Sequence, residues 1–145
     1  MIMHAMLDDG REHLLDRERT GLREQLDLFK QDKDKPEGDH HLMTAAETIR
    51  RIYYDMEGIL RDLDDAFGQQ RVLGRISTIY MDALRDYCLT PARTWETERD
   101  RIIGFSSLAL RLPDRLRRDV DRLVKRTDMR APELRRGANE TIHDR

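Results

Sequence analysis

Glu37 and His40 stand three residues apart, and so do Glu140 and His143. On a helix this spacing turns a carboxylate and an imidazole toward one point, as in di-metal helical bundles. That chemistry needs further carboxylates on facing helices, and no other glutamate falls on the apolar seams described below. The first pair also lies beside Pro36 and Gly38, in a stretch without apolar side chains. The expectation is therefore no metal site, with His40 and His41 a solvated pair. Cys88 is the single cysteine, which bars an internal disulfide and a thiolate cage. No cationic neighbour is expected to activate it, so it is read as a small buried side chain near a helix end. Trp95 is read as a core or interface anchor. No glycine-rich phosphate loop, nucleophile elbow or zinc motif is present. The sequence thus nominates no catalytic residue and no cofactor, and the expected class is not an enzyme.

The elements that could carry any site must be unusually polar. Of the 145 residues, 38% are hydrophobic and 39% charged. A typical domain has about 25% charged residues. Mean hydropathy is −0.80 and net charge is −2, so bulk charge selects no partner. Such a chain suits long amphipathic helices, each with one apolar stripe and a wide solvated face. Residues 102–110 form the longest stretch without a charge, far short of the roughly 20 residues of a membrane span. Residues 1–9 lack a basic segment and enough apolar length for a signal peptide. A cytoplasmic location without membrane contact is expected.

Helical periodicity covers the chain to about residue 104. Leu7, Leu14, Leu15, Leu22, Leu26 and Phe29 recur at helical spacing. A loop is expected at about 31–41, around the polar stretch 31–39. Thr44 with Glu47 predicts a capping box and a helix start. Ala45, Ile49, Ile52, Met56, Ile59, Leu63 and Ala66 then follow in alternating steps of four and three, an a/d seam. Tyr53, Leu60 and Phe67 widen that stripe, which favours a bundle, and Gly68 is the expected stop. Ile49, Ile52, Met56, Ile59 and Leu63 are candidate association residues. A third helix is predicted over 70–89, with Val72, Ile76, Ile79, Tyr80, Ala83, Leu84 and Tyr87 inward. Thr90 and Pro91 predict the start of a short helix to about Ile103.

The last forty residues differ. Leu108, Leu110 and Leu112 alternate with Ser107, Ala109 and Arg111, which predicts a strand. Pro113 and Asp114 then open a helix carrying Leu116, Val120, Leu123 and Val124. A break is expected over 127–131, and a last helix from about Pro132 with Leu134, Ala138 and Ile142. Strand, Leu112-Pro113-Asp114, helix, turn and helix together resemble the ribbon-helix-helix family of DNA-binding proteins. The matching positions are residues 110–114, Leu116, Val120, Asp121, Leu123, Thr127, Glu133, Leu134, Arg136, Ala138 and Ile142, within about 38 residues. Asp128 stands where the family has glycine, Arg130 where it has a serine or threonine cap, and Gly137 interrupts the last helix.

The resemblance implies that two chains pair their strands into a ribbon. Leu108, Leu110 and Leu112 would face the helices and associate. Ser107, Ala109 and Arg111 would enter the major groove, Arg111 on guanine and Ala109 on a thymine methyl. Free N–H groups near Arg130 and Ala131 would hold a phosphate. Residues 105–145 carry 11 basic and 7 acidic residues, against 16 and 22 over 1–104, in keeping with a basic reader on an acidic body. The fold expected is mainly α, with an N-terminal helical bundle over 1–104 and a ribbon-helix-helix-like module over 105–145. Two functions remain open. One is a dimeric regulator of duplex DNA, repressing transcription or serving a plasmid or mobile element. The other is a helical-bundle protein–protein interaction module whose 52–67 face captures another helix. The expected partners are duplex DNA, a second copy in a homodimer or higher even oligomer, and another helical protein.

Overall fold

The structure is a computed structural model that describes the backbone of residues 9–67 and 73–141 and the side chains of residues 13–65 and 73–126. It contains four helices: α1 (Asp9–Gln31), α2 (Pro36–Phe67), α3 (Arg75–Leu89) and α4 (Trp95–Thr141). Cross-helix contacts set their directions. Gln25 meets Thr48 across α1 and α2, Tyr87 meets Glu98 across α3 and α4, and Arg19 meets Asp114 across α1 and α4. The bundle therefore runs up-down-up-down. α2 and α4 touch across the short diagonal, while α1 and α3 barely meet at the outer corners.

The core follows the predicted seam. Ala45, Ile49, Ile52, Met56, Ile59 and Leu63 of α2 are each 0% exposed. Leu15, Leu22 and Phe29 of α1 repeat every seven residues against them. Together they form one apolar cluster with Met81, Leu84 and Tyr87 of α3 and the inner stripe of α4. Burial of this kind, at about 25 cal/mol per Å² of apolar surface, is the main force available to so polar a chain.

The loop expected at 31–41 is only a four-residue turn over 32–35, and α2 begins at Pro36. Proline suits this first helical position because its missing N–H would have no helical partner there. Gly38 lets the turn close, since a Cβ at this position would lie 2.4 Å from the Asp32 carbonyl oxygen. His41 Nε2 sits 2.9 Å from Asp32 Oδ2 and ties the turn to α2. Thr44 is consequently inside the helix rather than at its start. Its hydroxyl donates to the His40 carbonyl, 3.1 Å away.

The predicted strand is the main correction. Residues 105–112 are helical, and among the described residues there is no strand, so the ribbon of a ribbon-helix-helix module is missing. α4 runs through the position 104/105 without a break, through Pro113, and through the turn expected at 127–131. Its inward stripe is Ile102, Ser106, Ala109, Leu112, Leu116, Val120 and Leu123, in steps of three and four. A lone strand would leave its backbone groups unpaired, whereas a helix satisfies them internally. Pro113 removes one helical N–H, at a cost of about 3 kcal/mol. The stripe buried on both sides of it opposes that cost.

Two helix starts also differ from expectation. Thr90 ends α3, its N–H donating to the Asp86 carbonyl at 3.0 Å. Thr94 caps α4 instead, accepting the Thr97 N–H at 3.2 Å, with Glu96 and Glu98 in the first turn. α3 starts at Arg75, not 70, and Gly68 and Val72 lie outside the described residues.

Candidate interaction surface

The side chains that could do chemistry are mostly occupied or dispersed. Glu37 and His40 lie exposed on the first turns of α2, and His41 is engaged with Asp32. Among the described residues no group of three metal-ligating side chains converges. Glu140 and His143 lie outside the described side chains. Burial raises the Cys88 thiol, although Arg50 and Arg101 oppose the rise. It is half-buried and free, and a thiol held protonated is a poor nucleophile. Trp95 is the first residue of α4, partly buried against the core.

Tyr87 is a structural lock. Its ring lies between the guanidinium groups of Arg50, 5.7 Å away, and Arg101, 4.8 Å away. Its hydroxyl donates to Glu98 Oε1 at 3.3 Å, and Arg101 Nη2 donates to its carbonyl at 2.9 Å. Burial, then the Glu98 charge, push this phenol up to about 12. The cluster joins the end of α3 to the start of α4.

Glu18 of α1 is a buried carboxyl, 8% exposed. Burial first, then a hydrogen bond to Asp55 and that residue's charge, push it up to about 8, while Arg51 acts in the opposite direction. Arg51 Nε stands 3.7 Å from Glu18 Oε2. The Glu18 carboxyl therefore favours its protonated form at neutral pH. A shallow cleft of about 230 Å³ opens beside Asp55, lined also by Leu14, Tyr54 and Gly58.

The broadest distinctive surface lies on the outer side of α3 and α4. Arg111, Arg115, Arg118 and Arg122 fall in steps of four, three and four, one face of a helix. Arg111, Arg118, Arg122, Lys125 and Arg126 are exposed, and Arg115 partly so. Two exposed carboxylates flank the row, Asp114 between Arg111 and Arg118 and Asp121 between Arg118 and Lys125. Asp114 pairs with Arg19 of α1 at 2.9 Å. Asp119 is 4% exposed and accepts the Gly74 N–H at 2.7 Å. Asp119 thereby caps α3 from another helix, and Arg122 pairs with it. Gly74 permits this approach, because a Cβ there would lie 3.2 Å from Asp119 Oδ1. The negative charge also suits the N-terminal end of the α3 dipole.

Along the edge of α3 that meets α4 runs an apolar stripe of Ile76, Ile79, Tyr80 and Ala83. Ile76 is 46% and Ile79 55% exposed. Arg115 lies 5.9 Å from the centre of the Tyr80 ring and joins this stripe to the arginines. Asp82 and Asp86 are exposed beside Ile79, three and seven residues further on, on the side of the stripe turned from Tyr80. The surface thus combines desolvatable apolar area with an adjoining row of cations.

The structure separates the DNA-contacting residues expected from the sequence. Ser107 and Arg111 are exposed one turn apart on α4. Ala109 is 0% exposed inside the core, so it has no route to a base. Arg130 and Ala131 lie within uninterrupted helix, where backbone N–H groups are taken by the preceding turn, and no helix start is available for a phosphate. The expected association residues Ile49, Ile52, Met56, Ile59 and Leu63 are filled from within the chain, as is Leu112, and Leu108 and Leu110 are partly buried against the same core. Between Ile52 and Leu63 this face is therefore covered from within the chain, while the side chains of Ala66 and Phe67 lie outside the described ones. Sequence reasoning missed the exposure of Ile76 and Ile79. The signal was a competing stripe, Ser77, Met81, Leu84 and Cys88, at equally good helical spacing.

No helix of the described residues is long and apolar enough to cross a membrane. The chain matches no family model, no curated protein and no solved structure.

Proposed function

We propose that this protein is a helical-bundle interaction module that docks an anionic partner on the outer face of α4. One observation carries the reading: Arg111, Arg115, Arg118, Arg122, Lys125 and Arg126 crowd one side of α4, where they outnumber the exposed carboxylates beside them, Asp114 and Asp121. An excess of one sign on one face is destabilised by its own repulsion and attracts the opposite charge. Arginine suits the role because its planar fork binds carboxylates and phosphates bidentately. The partner site then needs no catalytic group.

A second reading, DNA binding, uses the same face. Ser107 and Arg111 remain exposed together on it. In this form the contacts go to phosphates, and a regulator would have to read its site without a strand in the major groove.

Retention on immobilised heparin at low salt tests the anionic-docking reading. The wild-type chain is expected to bind and to elute as salt rises. The double variant Arg111→Glu/Arg118→Glu should pass through, whereas Arg23→Glu on exposed α1 should still be retained. Equal retention of all three, or none by the wild type, overturns the proposal.

A further inference from the structure

We infer that the α3–α4 face takes an acidic amphipathic helix of a partner protein, its apolar side on Ile76 and Ile79 and its carboxylates on Arg111, Arg115 and Arg118. This rests on the anionic-docking reading and specifies the partner. Ile76 and Ile79 are among the exposed large apolar side chains of the molecule, and they adjoin Tyr80 and Ala83 in steps of three, one and three. A phosphate backbone would neutralise the arginines and leave these isoleucines wet. A helix with leucines or isoleucines on one side and glutamates on the adjoining side satisfies both at once. This is helix-in-groove recognition, with anchors at i, i+3 or i+4, and i+7.

The dimensions agree. Arg111 and Arg122 are eleven residues apart, about 16 Å along α4, or three helical turns. Ile76 and Ala83 span about 10 Å along α3, two turns of the same repeat. A partner helix of four to five turns covers both. Arg115, partly buried over the Tyr80 ring at 5.9 Å, forms the floor between the stripes. Its guanidinium is held there, so a carboxylate above it meets a positioned fork rather than a free chain. Asp119 is buried and already paired with Arg122 and Gly74, so it places no exposed negative charge in the path. Asp82 and Asp86 border Ile79 three and seven residues further on, so they repel a partner's carboxylates there and turn them toward the arginines.

The test uses the full chain and a designed capped eighteen-residue peptide helix. Leucines at i, i+4 and i+7 form one side and glutamates the adjoining side. Fluorescence anisotropy with this peptide is expected to show saturable binding that weakens with salt. Ile76→Ser/Ile79→Ser and Arg111→Gln/Arg118→Gln should each weaken it about tenfold or more. A scrambled peptide of the same composition should not bind. All four substituted positions are exposed, and circular-dichroism melts check that each variant keeps its fold. Retention on heparin without peptide binding overturns this inference and leaves the anionic-docking reading standing. Loss of both overturns both. Peptide binding that is indifferent to the isoleucine variant overturns it as well. So does duplex DNA binding more tightly than the peptide, since DNA is then the occupant.

Discussion

The α1–α2 hairpin and the α3–α4 pair solve the same problem by different means. The hairpin is closed locally. A four-residue turn uses its own backbone bonds, Lys35 N–H to Asp32 and Gly38 N–H to Lys35, at 2.9 and 3.0 Å. Behind it, the α2 seam is wholly buried. The α3–α4 pair borrows its order from elsewhere in the chain. α3 has no side-chain cap of its own and takes one from Asp119, forty-five residues away. It also leaves Ile76 and Ile79 in solvent beside a row of arginines. Both halves supply the core and both leave large apolar side chains exposed, but only the α3–α4 pair sets them beside a row of arginines. On the proposed reading, that face of the second half serves recognition.

That contrast should be visible in denaturation. Ile52→Ala or Ile59→Ala in the hairpin should cost about 2–5 kcal/mol in urea, as large-to-small core changes do. If either costs no more than a surface substitution, the α2 seam is not a stabilising one. Next in size is the pH dependence of the α1–α2 contact. Glu18 is raised to about 8 in the fold, above its unfolded value. The native state therefore binds the extra proton. Its contribution is complete below about pH 4.5 and is lost as pH rises through about 8. The difference in stability between Glu18→Gln and wild type should shift in favour of the variant by roughly 4 kcal/mol between pH 5 and pH 9. Parallel pH profiles for the two proteins would rule out a raised Glu18.

A smaller effect is expected in the other half. Asp119→Ala should cost about 1–2 kcal/mol, the usual range for a helix cap. Its hydrogen-exchange signature should fall on the first turn of α3, and loss of protection centred on α2 instead would contradict the borrowed cap. Least of all, Ile79→Ser and Arg118→Gln should change stability by no more than about 0.5 kcal/mol. A larger loss from either would mean that the face is structural.

Much of the bundle was legible from periodicity alone. The steps of four and three from Ala45 to Leu63 name the buried side of α2 without error, because six strongly apolar residues on one stripe outweigh any local preference. The α2 start was misread because Thr44 and Glu47 imitate a cap, while Pro36 eight residues earlier is the actual first position. In α3, two stripes of similar quality overlap, and Ser77 goes in while Ile76 stays out. Residues 105–112 contain Phe, three Leu and Ala at spacings that fit either period. There the alternation of Leu108, Leu110 and Leu112 argued for an extended segment. The candidate surface was legible only as separate charges, since its arginines align on one face only if the region is helical.

Composition and spacing alone determined that this chain is a set of amphipathic helices with its main seam on α2, because that seam is a sum of many short-range contributions of one sign. Tertiary structure decided whether residues 105–112 stay helical through Pro113, which α3 stripe turns inward, and which carboxylate caps α3. Each of those choices is nearly balanced locally. A balance of that kind is tipped by burial against neighbouring helices, which neither the period nor the composition of a single segment contains.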